Sequence, residues 1–112
     1  MATPNTGPVF RLVLDSAVGT TGQQIDFSKF VNGTFYVVPT GVVSAGVVTI
    51  EESAIENYPD TWALLTASAA IGTGAQQALH MNVSEAAYKY VRPRFSTPVS
   101  GGGSVKVYLQ AN

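Results

Sequence analysis

From Tyr88 to Ala111 the chain runs as two alternating stretches separated by three consecutive glycines, Gly101-Gly102-Gly103. In Tyr88–Ser96, Val91, Pro93 and Phe95 share one parity and Tyr90, Arg92 and Arg94 the other. In Ser104–Ala111, Val105, Val107 and Leu109 alternate with Ser104, Lys106, Tyr108 and Gln110. Successive side chains of a strand point to opposite faces, so this period of two predicts two half-buried antiparallel strands. The glycines supply the positive φ angles of a tight return, and the pair is expected as a hairpin. A hairpin cannot bury its own apolar face, so the rest of the chain must provide an opposing sheet.

The upstream residues are of the right kind. Val9–Asp15 alternates Val9, Arg11 and Val13 against Phe10, Leu12 and Leu14. Gln24–Phe27 is a short candidate strand, and Asn32-Gly33 reads as a turn before the β-prone run Thr34–Val38, which Pro39-Thr40-Gly41 closes. Val42–Glu51 is β-branched, with Gly46 marking a bulge, and Glu52–Asp60 reads as a polar loop. Thr61–Ile71 fits two templates. Its Ala and Leu content and the capping residues at Asp60 or Thr61 suit a helix, whereas Trp62, Leu64 and Thr66 share one face of a strand. Its β neighbours favour a strand over Thr61–Ala67, with Ser68–Gly74 as loop. Gln76–Val83 sets Ala78, His80 and Asn82 opposite Leu79, Met81 and Val83, and Ser84–Ala87 forms a corner before the final pair. About eight short strands without a sustained helical period predict an all-β fold, an antiparallel β-sandwich or jelly-roll-like barrel. It spans 9–112 as one domain, behind an N-terminal arm over residues 1–8 whose Pro4 and Asn5 are placed to order on a neighbouring subunit.

Composition narrows the function. With no cysteine and one histidine, a disulfide framework, a thiolate metal site and a His cluster within one chain are excluded, and no cofactor is expected. The start, MATPNTGPVF, lacks the pattern of a secretory signal, and no apolar run approaches the ~20 residues of a membrane helix. Charged residues are 12% of the chain, against about 25% in ordinary soluble domains. A net charge of −1 without a basic cluster argues against nucleic-acid binding. Such a weakly charged surface fits either a Ser/Thr/Gly-rich β domain or a chain much of whose surface partners cover.

Catalytic constellations are missing. His80 has no nucleophile elbow to serve, and Ser100-Gly-Gly-Gly-Ser104 reads as a turn, so the chain is not expected to be an enzyme. Glu51, Glu52, Glu56 and Asp60 concentrate acid without the spacing of a calcium loop, and read as a solvated loop or as a partner for a neighbour's basic strand. Tyr90, Arg92 and Arg94 share one strand face beside Lys89, and Tyr and Arg are enriched at interfaces. The alternative is a solvent face stiffened by Lys106 and Tyr108. Reversing both arginine charges is expected to block assembly and leave the fold intact. Tyr36, Tyr58, Trp62 and Tyr90 are candidates for a sugar platform, although Trp62 between Thr and aliphatic neighbours suits a core position better.

Asp60-Thr-Trp-Ala-Leu-Leu, Gln77-Ala-Leu-His, Tyr88-Lys-Tyr-Val-Arg-Pro-Arg-Phe-Ser-Thr and Gly101-Gly-Gly-Ser-Val-Lys-Val follow one another across the second half of the chain. This succession resembles small β-sandwich structural proteins of tailed bacteriophages, most of all capsid decoration or cement proteins. The resemblance implies a jelly-roll-like fold, no catalytic residues, and a homo-oligomer (dimer or trimer) that binds major capsid protein. It also implies synthesis in the host cytoplasm and residence on the virion, at the capsid surface. The rival expectations are a phage tail or fibre-associated module and a carbohydrate-binding module.

Overall fold

The structure, a computed structural model, describes residues 9–65, 68–82 and 90–112. Along the chain the strands are β1 (Val9–Asp15), β2 (Ile25–Asp26), β3 (Asn32–Thr40), β4 (Ala45–Ser53), β5 (Ala63–Leu64), β6 (Ala69–Ala70), β7 (Gln77–Asn82), β8 (Tyr90–Ser100) and β9 (Ser104–Ala111). The one helical element among the described residues is a 3-10 turn at Phe27–Lys29, where Asp26 Oδ1 accepts the Ser28 amide at 3.2 Å. All strand pairs are antiparallel, in a four-stranded sheet ordered β1-β9-β3-β7 and a second sheet ordered β2-β8-β4-β5, with β6 also on β4. With β5 and β6 taken as one interrupted strand, this is the strand order of a jelly roll.

The alternation read from the sequence gives the core directly. Phe35 and Val37 of β3, Val105, Val107 and Leu109 of β9, Val48 and Ile50 of β4, and Val91 and Phe95 of β8 are buried between the sheets. Burying such side chains contributes about 1.5–3 kcal/mol each, which makes this layer the main source of stability. β1 follows its alternation as far as Leu12. A bulge there leaves Val13 unpaired, so Val13 and Leu14 are both buried while Phe10 and Leu12 point outward. The irregularity expected at Gly46 also occurs, in the register of β4 against β8.

The expected hairpin does not form. β8 pairs with β2 and β4, and β9 with β1 and β3, so the glycine run crosses from one sheet to the other. Alternation is the same for two strands side by side and for two strands facing across a core. Here the second arrangement wins, because it packs the two apolar faces against each other. The crossing lies on the connection between β3 and β4, which also changes sheet. Gly103 donates to Val42 O at 2.7 Å, and Ser44 donates to Ser100 O at 2.8 Å. A Cβ on Gly103 would lie 2.5 Å from Thr40 O and 2.6 Å from Val42 O, so the two arches fit together only with glycine at this position.

Other boundaries also move. Asn32 and Gly33 are strand residues rather than a turn, and Gly33 is glycine because a Cβ would meet the Phe27 ring at 2.6 Å. β4 runs on to Ser53, so Glu52 belongs to a strand and not to a loop. Within the expected strand over Thr61–Ala67 the described residues form β5 at Ala63–Leu64, with Thr66 and Ala67 outside the described residues, and the expected loop Ser68–Gly74 contains β6. Two of the three prolines inside strands, Pro39 and Pro93, sit where a ladder bond is missing. Pro39 lies beyond the end of β7, and Pro93 turns its nitrogen toward the gap beside β2 where its carbonyl accepts from Gly22 at 2.8 Å. The arm at 1–8 with Pro4 and Asn5, the corner Ser84–Ala87, and Tyr88 and Lys89 lie outside the described residues.

Candidate functional site

The two sheets treat their outer faces differently. On the sheet of β2, β8, β4 and β5, the connection from β4 to β5 brings Trp62 over the outer face, β5 and β6 extend the sheet sideways, and Thr49, Glu51 and Ser53 are buried although they point away from the core. Glu51 lies opposite Arg92 in the β4–β8 register. Its carboxylate accepts from Arg92 Nε at 3.1 Å and from Arg94 Nε at 2.6 Å, with the side chain only 5% exposed. Above them the Trp62 ring lies 4.1 Å from the Arg92 guanidinium carbon, and its indole N–H donates to Tyr58 O at 3.0 Å. A depression lined by Glu51, Asp60, Trp62, Arg92 and Arg94 opens beside this stack.

This geometry revises the expected interface. Tyr90, Arg92 and Arg94 do share an outer face, but the arginines satisfy a carboxylate of their own chain rather than a neighbour's. Glu51 and Glu52 are buried in β4, not displayed in a solvated loop, and of the four acids only Glu56 and Asp60 are exposed. Reversing both arginines would place three carboxylates around one buried position, so that experiment perturbs the fold. Trp62 is buried as expected, although it covers an ion pair on the outer side of a sheet instead of joining the central core. With Trp62 buried and Tyr36 on the opposite sheet from Tyr90, the four aromatic residues do not share a sugar platform.

The outer face of β1, β9, β3 and β7 is uncovered among the described residues. Leu12, Tyr108, Tyr36 and Ala78 form one row across the four strands, and Phe10, Gln110, Thr34 and His80 the next. Phe10, 61% exposed, stacks on Tyr108 with ring centroids 5.3 Å apart and planes 8° from parallel, and lies 6.5 Å from Tyr36. Leu12 is 39% exposed. Polar groups between them bond to each other: Tyr36 Oη donates to Gln110 Oε1 at 3.3 Å, and Thr34 Oγ1 lies 3.1 Å from His80 Nδ1. The charged residues facing this way, Lys106 and Asp15, sit opposite each other at one end. Sequence reasoning missed this surface. Its signal was aromatic residues on the polar parity of several strands, visible only once those strands are neighbours.

Chemically the face offers aromatic area and neutral hydrogen-bonding groups, the composition of the middle of a protein interface. Among the described residues no group of three or more His, Asp or Glu side chains is disposed to hold a metal ion. No family model matches the chain, and neither a curated protein nor a solved structure matches it.

Proposed function

We propose that this protein is a structural component of a tailed-bacteriophage particle, a decoration or cement protein that binds the outside of the capsid shell and braces contacts between major capsid subunits. The observation that carries the reading is the contrast between the faces. On one sheet Trp62 of the chain's own β4–β5 connection lies over the Glu51–Arg92–Arg94 cluster, while the other leaves Phe10, Leu12, Tyr36 and Tyr108 open on a face with its charges at one end. A monomer has little use for such a surface, and a protein that must lie on another protein does. The jelly-roll strand order supports the reading by analogy, since viral capsid domains use it among others. In a shell every copy repeats the same modest contact, and multivalency makes the whole stable. The functional residues are then Phe10, Leu12, Tyr36 and Tyr108, with the Glu51–Arg92–Arg94 cluster holding the opposite sheet together.

The test is to mix purified protein with empty, expanded phage shells and measure bound mass. Uptake that saturates at a fixed copy number per shell supports the reading. Binding to tails or fibres in place of shells moves the protein to that part of the particle, and binding to neither refutes the proposal.

A further inference from the structure

The edges of the two sheets are not equally protected. β1 carries Arg11 and the bulge at Val13, while β2, β5 and β6 are two residues long. Charges, bulges and shortness are the usual devices that stop an edge from recruiting another strand. β7, Gln77-Ala-Leu-His-Met-Asn, is the outer strand of its sheet, six residues long, with no charge, no proline and no register shift.

The hydrogen-bond phase of the sheet says which of its backbone groups face out. Asn32 and Asn112 exchange both amide bonds, at 3.0 and 3.1 Å, so the N–H and C=O of Asn32 point toward β9. Alternate residues of an antiparallel strand bond to opposite sides. Gly33, Phe35 and Val37 therefore bond to β7, through Met81, Leu79 and Gln77. The N–H and C=O groups of Ala78 and His80 are left pointing outward, without a partner strand among the described residues.

We propose that a second copy of this chain occupies that edge, adding its β7 antiparallel to the first about a twofold axis at Leu79. In this register Ala78 lies opposite His80 of the partner and His80 opposite Ala78, so four backbone hydrogen bonds form from the groups that face out. The side chains suit each other. On the outer face each His80 ring meets a methyl group. On the inner face Leu79, half-buried against the core, meets its own copy and completes its burial. No like charges are opposed. The result is one eight-stranded sheet on which the aromatic faces of both copies are continuous. This dimer rests on the edge alone and needs no shell.

The experiment is the solution mass of the full chain by sedimentation, with two variants. The wild type is expected at the mass of two chains. His80→Pro removes an outward N–H while leaving every β3–β7 bond intact, and is expected to halve the mass with an unchanged near-ultraviolet spectrum. Leu79→Cys supplies the protein's only thiol at the axis, where the Cα atoms of a non-hydrogen-bonded pair stand about 4.5 Å apart, within disulfide range. Mild oxidation is expected to cross-link it into a covalent dimer. A monomeric wild type overturns the proposal, as does a dimer that survives His80→Pro or that fails to cross-link through Leu79→Cys. Slow amide exchange at Ala78 and His80 in a monomer would put a segment of the same chain on the edge, which equally overturns it.

Discussion

Glu51→Gln is the sharpest test of the electrostatic reading of the β4–β8 face. The substitution keeps volume and shape but removes the charge shared by two guanidinium groups. Each bond to Glu51 is charge-assisted, and such bonds contribute about 1.5–3 kcal/mol, so the pair sets an upper range of about 3–6 kcal/mol. That range must be discounted, because the Arg92 and Arg94 side chains are 21% and 37% exposed and water recovers part of the loss. The carboxylate itself is almost fully buried, so the change falls near the lower end of the roughly 3–5 kcal/mol for breaking a buried pair from one side. We expect about 3 kcal/mol. For a domain near this size that lowers Tm by about 12 °C. Urea unfolding of both proteins measures it, with m unchanged. The difference should persist in high salt, since screening acts weakly on buried pairs. A loss below about 1 kcal/mol, or one that disappears in salt, would class the cluster with ordinary surface pairs and refute the argument.

Trp62→Ala should cost about 3–5 kcal/mol, measured by the same unfolding, and should speed amide exchange at Leu65, whose N–H bonds Ile50 O at 2.8 Å where β5 continues along β4. Gly103→Ala should destabilise by more than about 2 kcal/mol, because its methyl group meets backbone oxygens of the β3–β4 arch that cannot swing away; an unchanged melting curve would show that the arches separate freely. Phe10→Asp should change stability by about 1 kcal/mol at most, through the lost stack on Tyr108, yet abolish uptake by shells. Normal saturation by that variant would remove the aromatic face from the interface.

How far the residues alone reach can be judged element by element. The ends of β1 were legible to the residue, though not the bulge that buries Leu14 beside Val13, and the inward and outward sides of β7, β8 and β9 followed from parity, because a pleated strand leaves no other choice. The edge that β5 and β6 add to β4 was not legible. Its strands are two residues long, too short for any period, and it is held by its attachment to β4. Glu51 illustrates the same limit at the site. In sequence it stands beside Glu52, ahead of Glu56 and Asp60, and reads as the start of an acidic loop. Only the pairing of β4 with β8 brings two arginines more than forty positions away to its carboxylate.

The sequence by itself determined the class of the protein: β-strands throughout, one apolar side to each long strand, no cysteine, few charges. Those properties follow from local backbone geometry and composition, which do not depend on which strand meets which. Strand partnership, and everything built on it, belonged to the tertiary structure. Whether the glycine run closes a hairpin or an arch, whether an arginine faces a stranger or its own chain, and which aromatic residues gather on an open face are settled by contacts between distant segments. Alternation assigns each side chain a face, but burial energy between sheets decides what that face is pressed against.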